Sequence, residues 1–113
     1  MRTVLKSVAR LVAQRYVVGV DGGASKTVAL IGNEKGKVLG QGQAGSSNYH
    51  NIGIPAAERA IRNAVRDAQR RAGLLGKTPE IAVVALAGID SSKDQSVASR
   101  LAQRAKSARV SVV

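Results

Sequence analysis

The sequence has 113 residues, with 18 Lys and Arg against 7 Asp and Glu, a formal charge of +11, one His and no Cys. This length allows one small domain at most, and the absence of Cys excludes disulfides, thiolate catalysis and Cys-ligated metal within the chain. Hydrophobic residues make up 44% of it, and no apolar run approaches the ~20 residues of a membrane span. We therefore expect a globular protein of the reducing cytoplasm, with no membrane partner.

The first 15 residues, MRTVLKSVARLVAQR, contain four basic and no acidic residues. Val4, Val8, Leu11 and Val12 recur near helical spacing. The segment predicts a basic N-terminal extension over residues 1–15, and mitochondrial presequences share its acid-free character. A loosely attached extension and a start codon placed too early are the alternatives.

Three short strands are predicted next. Tyr16 to Asp21 (YVVGVD) is a β-branched run that indicates a buried strand before a tight turn, and Thr27 to Ile31 is a second strand. Asn33 to Gly36 is typical of a hairpin turn, which predicts a third, antiparallel strand over Lys37 to Gln41. The Gly/Ser/Asn-rich residues 40–53 look too polar and too flexible to form a packed element.

Helices and parallel strands are predicted for the second half. Pro55 opens a helix and Gly73 closes it. Glu80 to Ala87 is almost wholly apolar, which favours a parallel strand covered on both faces. Ser92 to Gln95 indicates a capping box that begins a second helix, and Arg109 to Val113 begins a further strand. One face of that helix carries Val97, Leu101 and Ala105. The order βββαβαβ predicts an α/β fold with a mixed sheet flanked by helices.

Most of the clustered charge lies on the first of these helices. Its basic face carries Arg59, Arg62, Arg66 and Arg70. Its apolar face carries Ala57, Ile61, Ala64, Val65, Ala68 and Ala72. We expect a solvated face, partly neutralised by pairs from Glu58 to Arg62 and from Asp67 to Arg71. An acidic partner is the alternative, although two Tyr provide little surface for base stacking and a nucleic-acid partner is not expected.

The segment GVDGGASKT, Gly19 to Thr27, has the composition of a phosphate-binding turn. Glycines let backbone N–H groups approach an anion, hydroxyl side chains donate hydrogen bonds, and a lysine adds positive charge. Asp21 at the end of the strand would hold Mg²⁺ through water. The alternative is a hairpin in which Asp-Gly-Gly simply turns the chain.

Two other glycine patterns are not nucleotide motifs. Gly40, Gly42 and Gly45 spell GxGxxG, but no helix follows at once to bind a pyrophosphate. GGASKT has the wrong spacing for a Walker A loop and a strand follows it.

Residues 16–113 resemble the N-terminal portion of the N-acetylglucosamine kinase and BadF/BadG/BcrA/BcrD ATPase family, within the actin, Hsp70 and sugar-kinase superfamily. The resemblance rests on VGVDGGASKT (Val18 to Thr27), KVLGQGQAGSSNYHNIG (Lys37 to Gly53) and VVALAGID (Val83 to Asp90). It implies a ribonuclease-H-like (actin-like ATPase) N-terminal subdomain that is incomplete, because the chain stops within a β-branched run.

The resemblance also implies ATP and Mg²⁺ as cofactors, with site residues at matching positions. The phosphate and Mg²⁺ residues would be Asp21, Gly22, Gly23, Ser25, Lys26 and Thr27. Asn48 matches the residue that holds the sugar, with Tyr49 and His50 beside it. A lone His in a loop is more often a hydrogen-bonding residue than a catalytic base, so we expect His50 to have the first role. Gly88 and Asp90 match the turn that faces the cleft, where Asp90 would contact the sugar. The alternative is that Asp90 is a helix-start acid favoured by the helix dipole.

The implied activity of the intact protein is transfer of a phosphoryl group from ATP to a sugar hydroxyl. In the family, the general-base Asp, the second phosphate loop and the second domain lie beyond residue 113, so we expect the chain to be inactive by itself. Its partners would be a nucleotide, a sugar and, as one possibility, a separate chain carrying the missing half. The alternatives are an ATPase that activates an acyl-CoA dehydratase or reductase, and a small basic nucleic-acid-binding module.

Overall fold

The computed structural model describes residue 4, residues 15–105 and residues 109–112. Its strands are β1 (Val17–Gly22), β2 (Lys26–Gly32), β3 (Val38–Gly45), β4 (Ile81–Leu86) and β5 (Arg109–Val112). Its helices are the single turn α1 (Tyr49–Ile52), α2 (Ile54–Ala72) and α3 (Ser92–Ala102), which a 3₁₀ turn continues over Gln103–Ala105. The strands and the two long helices follow the predicted βββαβαβ order. Val8, Leu11 and Val12 of the basic extension lie outside the described residues, and so does Val113.

The strands form one five-stranded sheet in the order β3-β2-β1-β4-β5. β1 pairs antiparallel with β2, and β2 pairs antiparallel with β3. β4 pairs parallel with both β1 and β5, with Val20 opposite Val84. The sheet is therefore mixed, as predicted, and β1 lies at its centre. No helix in the described part of the chain is long and apolar enough to cross a membrane.

The hydrophobic core lies between one face of the sheet and helices α2 and α3. Alternate residues of the strands are buried there, and so are the apolar faces of both helices. The largest of these side chains are Tyr16, Val18, Ile31, Ile61, Val84 and Leu101. On the other face, Val17, Leu30 and Val83 are 40–42% exposed. The prediction that β4 is covered on both faces is therefore wrong for the described chain, because both long helices pack on the same side.

The third strand predicted over Lys37 to Gln41 is present as β3 but extends to Gly45, and helix α1 follows it. The prediction of an unpacked segment is therefore wrong for residues 42–45 and 49–52. The cause is close packing of α2 on β3. An ideal Cβ on Gly42 would lie 2.2 Å from the Ala64 carbonyl oxygen, and one on Gly40 would lie 2.7 Å from that of Ala68. These glycines let the helix backbone approach the strand, which explains a GxGxxG pattern without a dinucleotide.

The helix ends follow local capping rules, with one correction. Gly73 has φ +73° and ends α2 as predicted, with Pro55 in the first turn. Helix α3 is capped by Ser91 and Asp94, one residue before the predicted box: Ser91 Oγ accepts a hydrogen bond from the Asp94 backbone N–H, and the Asp94 carboxylate accepts from Ser91 N–H. Ser91 has the extended backbone of an N-cap, so helix α3 begins at Ser92.

One of the two predicted ion pairs on α2 is present. Asp67 contacts Arg71 at 3.3 Å. Glu58 instead pairs with Arg100 and Arg104, so the predicted pair with Arg62 is wrong. Glu58 is buried where α2 packs against α3, and it therefore faces the arginines of that neighbour rather than its own helix surface.

Candidate functional site

Three chain segments meet at the carboxyl end of the parallel pair β1 and β4. The Ala87 backbone N–H donates to the Gly22 carbonyl at 2.8 Å, which joins the end of β4 to the end of β1. The Ser47 N–H donates to the Gly23 carbonyl at 3.2 Å, which joins the segment after β3 to the same turn. Ligands of open α/β sheets bind outside the carboxyl ends of parallel strands, so this edge is where a site is expected.

The β1–β2 turn is the first of these segments. The Gly23 N–H donates to the Lys26 carbonyl at 2.8 Å and closes the turn. Gly22 is buried, and a Cβ there would lie 2.3 Å from Ser47 Oγ and 2.6 Å from Leu86 Cδ2. Gly22 thus allows the three segments to pack together. Ser47 Oγ is itself buried with no hydrogen-bond partner among the described residues.

The predicted phosphate-contacting side chains of this turn differ in accessibility. Ser25 and Lys26 are exposed. Thr27 is fully buried, and its hydroxyl donates to the Gly45 carbonyl at 2.8 Å, so it joins β2 to β3. A phosphate at this turn would therefore meet Ser25 and Lys26 rather than Thr27.

Asp21 is the candidate Mg²⁺ residue. Its carboxylate is exposed at the end of β1 and, within the described chain, it forms no hydrogen bond or ion pair. The described residues contain no group of three or more His, Cys, Asp or Glu that could hold a metal ion alone. Mg²⁺ is commonly held by one or two carboxylates together with waters and substrate phosphates, so a single free carboxylate beside the predicted phosphate turn fits this ion.

Asn48 lies in the second segment and is tied to the turn by Ser46. Ser46 Oγ accepts from the Asn48 N–H at 3.1 Å and donates to the Gly23 carbonyl at 3.4 Å. Asn48 Oδ1 accepts from the His50 N–H at 3.1 Å and caps helix α1. The Asn48 Nδ2 donors have no acceptor in the part of the chain that the structure describes, so they remain available to a ligand.

Gly88 brings the third segment against Asn48. Its backbone has φ +83°, and a Cβ there would lie 2.9 Å from Asn48 Oδ1 and 3.1 Å from His50 Cδ2. The structure thus brings Gly88 together with Asn48 and His50. Asp90 follows two residues later, with an exposed side chain and a backbone N–H that donates to Asp94 Oδ2 at 3.1 Å.

Asp94 links these residues, although it was not among the predicted site residues. The buried Asp94 carboxylate accepts from the Tyr49 hydroxyl, and His50 Nε2 lies 3.0 Å from Asp94 Oδ1 and 3.0 Å from the Gly88 carbonyl oxygen. The hydrogen bond from Tyr49 holds the pKa of Asp94 well below its ordinary value and, in the same contact, raises the pKa of Tyr49 to about 12.

Two consequences follow for Tyr49 and His50. Because His50 Nε2 faces two acceptors, this nitrogen carries a proton and His50 is a hydrogen-bond donor. Tyr49 points its hydroxyl into the same carboxylate, so both side chains anchor the Asn48 segment to the start of α3. An acid three residues after Ser91 is the signal that could have identified Asp94, since that spacing defines a capping box.

This arrangement of sheet and cleft edge is the ribonuclease-H-like fold of actin-like ATPases, and solved structures share it. A protein from Chromobacterium violaceum assigned as an N-acetylglucosamine kinase matches with TM-score 0.67 and 24% identity over 88% of this chain and 34% of its own. The ethanolamine utilization protein EutJ from Carboxydothermus hydrogenoformans matches with TM-score 0.64 and 19% identity over 86% of this chain and 36% of its own. The PPX-GPPA enzyme of Aquifex aeolicus matches with TM-score 0.52 and 14% identity over 88% of this chain and 36% of its own.

Sequence comparison identifies the family within that fold. The model of the BadF/BadG/BcrA/BcrD ATPase family matches residues 18–111, and the chain belongs to this family. The glucosamine kinase GspK of Vibrio cholerae is 36% identical over 59 residues, which cover 52% of this chain and 20% of that protein. The chain therefore spans about a fifth of this relative and about a third of the solved structures.

Proposed function

We propose that this chain supplies the first phosphate-binding turn and the sugar-binding segment of an ATP-dependent sugar kinase. In the intact protein the γ-phosphate of ATP is transferred to a sugar hydroxyl. The observation that carries the proposal is the hydrogen-bonded junction of the Gly22–Gly23 turn, the Asn48 segment and the Gly88 turn at one sheet edge. A phosphate donor and a hydroxyl acceptor have to be held side by side for this reaction.

The turn supplies the groups that contact phosphate. The Ala24 and Ser25 backbone N–H groups donate to no acceptor among the described residues, and the Ser25 hydroxyl and Lys26 ammonium are exposed beside them. Such groups bind an anion without rearrangement of the chain. Mg²⁺ held through water by Asp21 neutralises phosphate charge when it is bound.

The Asn48 segment supplies the groups that contact sugar. The free Nδ2 donors of Asn48 suit a sugar hydroxyl or acetamido oxygen. Tyr49 and His50 hold this segment through Asp94, and the exposed Asp90 carboxylate is a second candidate acceptor for sugar hydroxyls. Because these hydrogen bonds fix the backbone that carries Asn48, the site keeps its geometry when the substrate arrives.

The chain alone is expected to bind but not to turn over. Phosphoryl transfer needs charge stabilisation on both sides of the γ-phosphate and a residue that accepts the hydroxyl proton. His50 is the one His in the sequence, and its Nε2 is committed to Gly88 and Asp94. A coupled assay with ATP and a panel of hexoses should therefore show no phosphorylation above the blank.

Amide NMR of the chain tests the two binding segments separately. Mg-ATP should shift the amides of Gly23 to Lys26, and glucosamine or N-acetylglucosamine should shift those of Asn48 to His50 and of Gly88. Asn48→Asp keeps the acceptor that caps α1 but removes the Nδ2 donors, so it should abolish the sugar response. Asn51→Asp, an exposed change of the same charge in the same helical turn, should leave it intact.

Each arm has an outcome that contradicts the proposal. If Mg-ATP shifts amide resonances but no amino sugar or hexose does, sugar binding by this chain is refuted. This result would favour the function of another ATPase of the family. Shifts by Mg-ATP that leave Gly23 to Lys26 unchanged would refute the phosphate turn. Equal sugar responses in the Asn48→Asp and Asn51→Asp variants would remove Asn48 from the site.

A further inference from the structure

A basic pocket lies at the opposite end of β4 from the phosphate turn. It is a cavity of about 410 Å³ between helix α2, the loop that precedes β4 and the 3₁₀ turn after α3. Among the residues that the structure describes, four cationic ones line it, namely Arg62, Arg66, Lys77 and Arg104, and no acidic one does. Positive charges from three separate chain segments therefore converge on one concave surface.

The acidic residues of α2 leave most of this charge uncompensated. Glu58 contacts Arg100 at 3.3 Å and Arg104 at 2.6 Å, so one carboxylate is shared by two guanidinium groups. Asp67 is likewise paired with two arginines, Arg70 and Arg71.

Arg62, Arg66 and Lys77 form no ion pair in the part of the chain that the structure describes. Cations gathered in this way repel one another, and an anion placed among them relieves that repulsion.

The wall of the pocket opposite α2 is fixed to the core. The buried Leu74 donates its N–H to the Gln69 carbonyl at 2.8 Å. The Lys77 carbonyl accepts from Gln69 Nε2 at 3.1 Å and from the hydroxyl of the buried Tyr16. The loop that carries Lys77 is thus held in place before any ligand arrives, which lowers the entropic cost of binding.

We propose that this basic pocket binds a small polyanion that carries phosphate groups. Its volume lies within the ordinary range of about 300–1,000 Å³ for small-molecule sites. Guanidinium groups recognise phosphate oxygens in bidentate fashion, and Lys77 adds a point charge. The basic pocket is separate from the phosphate turn, because Lys77 precedes the first residue of β4, whereas Gly22 lies opposite Leu86, the last residue of this strand. The five intervals of the six-residue strand span about 17 Å.

Calorimetric titration with tripolyphosphate tests this site. We expect saturable binding with a component that belongs to the basic pocket, and the affinity of this component should be about tenfold weaker in Arg66→Gln and in Lys77→Gln, since each removes one charge-assisted contact. Lys35→Gln and Lys37→Gln remove the same charge from the exposed β2–β3 hairpin and should change affinity less than about twofold. Thermal unfolding checks that all four variants fold.

Lys26→Gln separates this pocket from the phosphate turn. Tripolyphosphate binding that survives Lys26→Gln and weakens with Arg66→Gln supports the basic pocket. Three results would each overturn the proposal of a basic pocket. They are loss of tripolyphosphate binding in Lys26→Gln, an equal loss of affinity in the pocket and hairpin variants, and the absence of saturable binding. Titration of ATP into the Lys26→Gln protein distinguishes the two sources of the phosphate groups. If ATP binds and Arg66→Gln weakens this binding, the natural ligand is a nucleotide. If tripolyphosphate binds and ATP does not, the natural ligand is an inorganic anion.

Discussion

Replacement of Gly42 by alanine tests the close packing of α2 on β3. The added Cβ would lie 2.2 Å from the Ala64 carbonyl oxygen and 2.3 Å from the Ala68 nitrogen. Ordinary van der Waals contact begins at 3.4 Å, so helix and strand have to separate by about 1.2 Å. Ala64 and Ala68 are fully buried and their backbone cannot turn away as a flexible side chain would.

This separation opens the core along the whole contact of α2 with β3. Overpacking a core typically costs about 1–3 kcal/mol, and an obstacle made of backbone puts Gly42→Ala at the upper end, about 3 kcal/mol. For a domain of about 100 residues, each kcal/mol lowers Tm by about 4–8 °C, so the loss is at least about 12 °C. Circular dichroism during heating and in urea measures both quantities.

Gly45→Ala is the matched control in the same strand. Gly45 is exposed, has no atom within 4 Å of its ideal Cβ and lacks a positive φ. Its replacement should change the free energy of unfolding by less than about 0.5 kcal/mol. If Gly42→Ala unfolds within about 0.5 kcal/mol of Gly45→Ala, the reasoning from close helix–strand packing is refuted.

Three further predictions concern the core and the carboxylate network. Leu101→Ala should cost about 2–5 kcal/mol, whereas Leu30→Ala on the open sheet face, where the side chain is 42% exposed, should cost clearly less; similar urea midpoints would contradict this. Since folding lowers the pKa of Asp94, its stabilisation is present above the ordinary value of 3.8 and is lost as pH falls, so acid should reduce Tm more in the wild type than in Asp94→Asn. Since folding raises the pKa of Tyr49 from 10.0 to about 12, its stabilisation is lost as pH rises through that interval, and Tyr49→Phe should lack this alkaline decline.

The order of the elements could be predicted because it depends on local patterns. The β-branched run from Val17 onward, the hairpin turn at Asn33 to Gly36 and the Pro55 and Gly73 signals of α2 each act within a few residues. The family motifs added the sheet edge at which the site lies. These features agree with one another, which is typical of a sequence that specifies one fold.

The extent of β3 could not be predicted from the same patterns. Gly40, Gly42 and Gly45 have low strand propensity, and local rules interpret such a run as a loop. The strand persists because α2 requires glycine where its backbone touches β3, a requirement that arises only when the two elements are packed. A tertiary contact thus overrides a local preference.

Glu58 and Asp94 show the same limit for charged residues. Local spacing predicted a surface pair from Glu58 to Arg62 and did not mark Asp94 at all, yet each carboxylate is buried and bonded to a different element. A buried acid needs partners from whichever element covers it, so its pairing depends on packing rather than on helical spacing. Glu58 thereby leaves Arg62 free to contribute to the basic pocket, and Asp94 fixes the segment that presents Asn48. These two acids, whose partners local spacing did not predict, therefore shape both proposed binding sites.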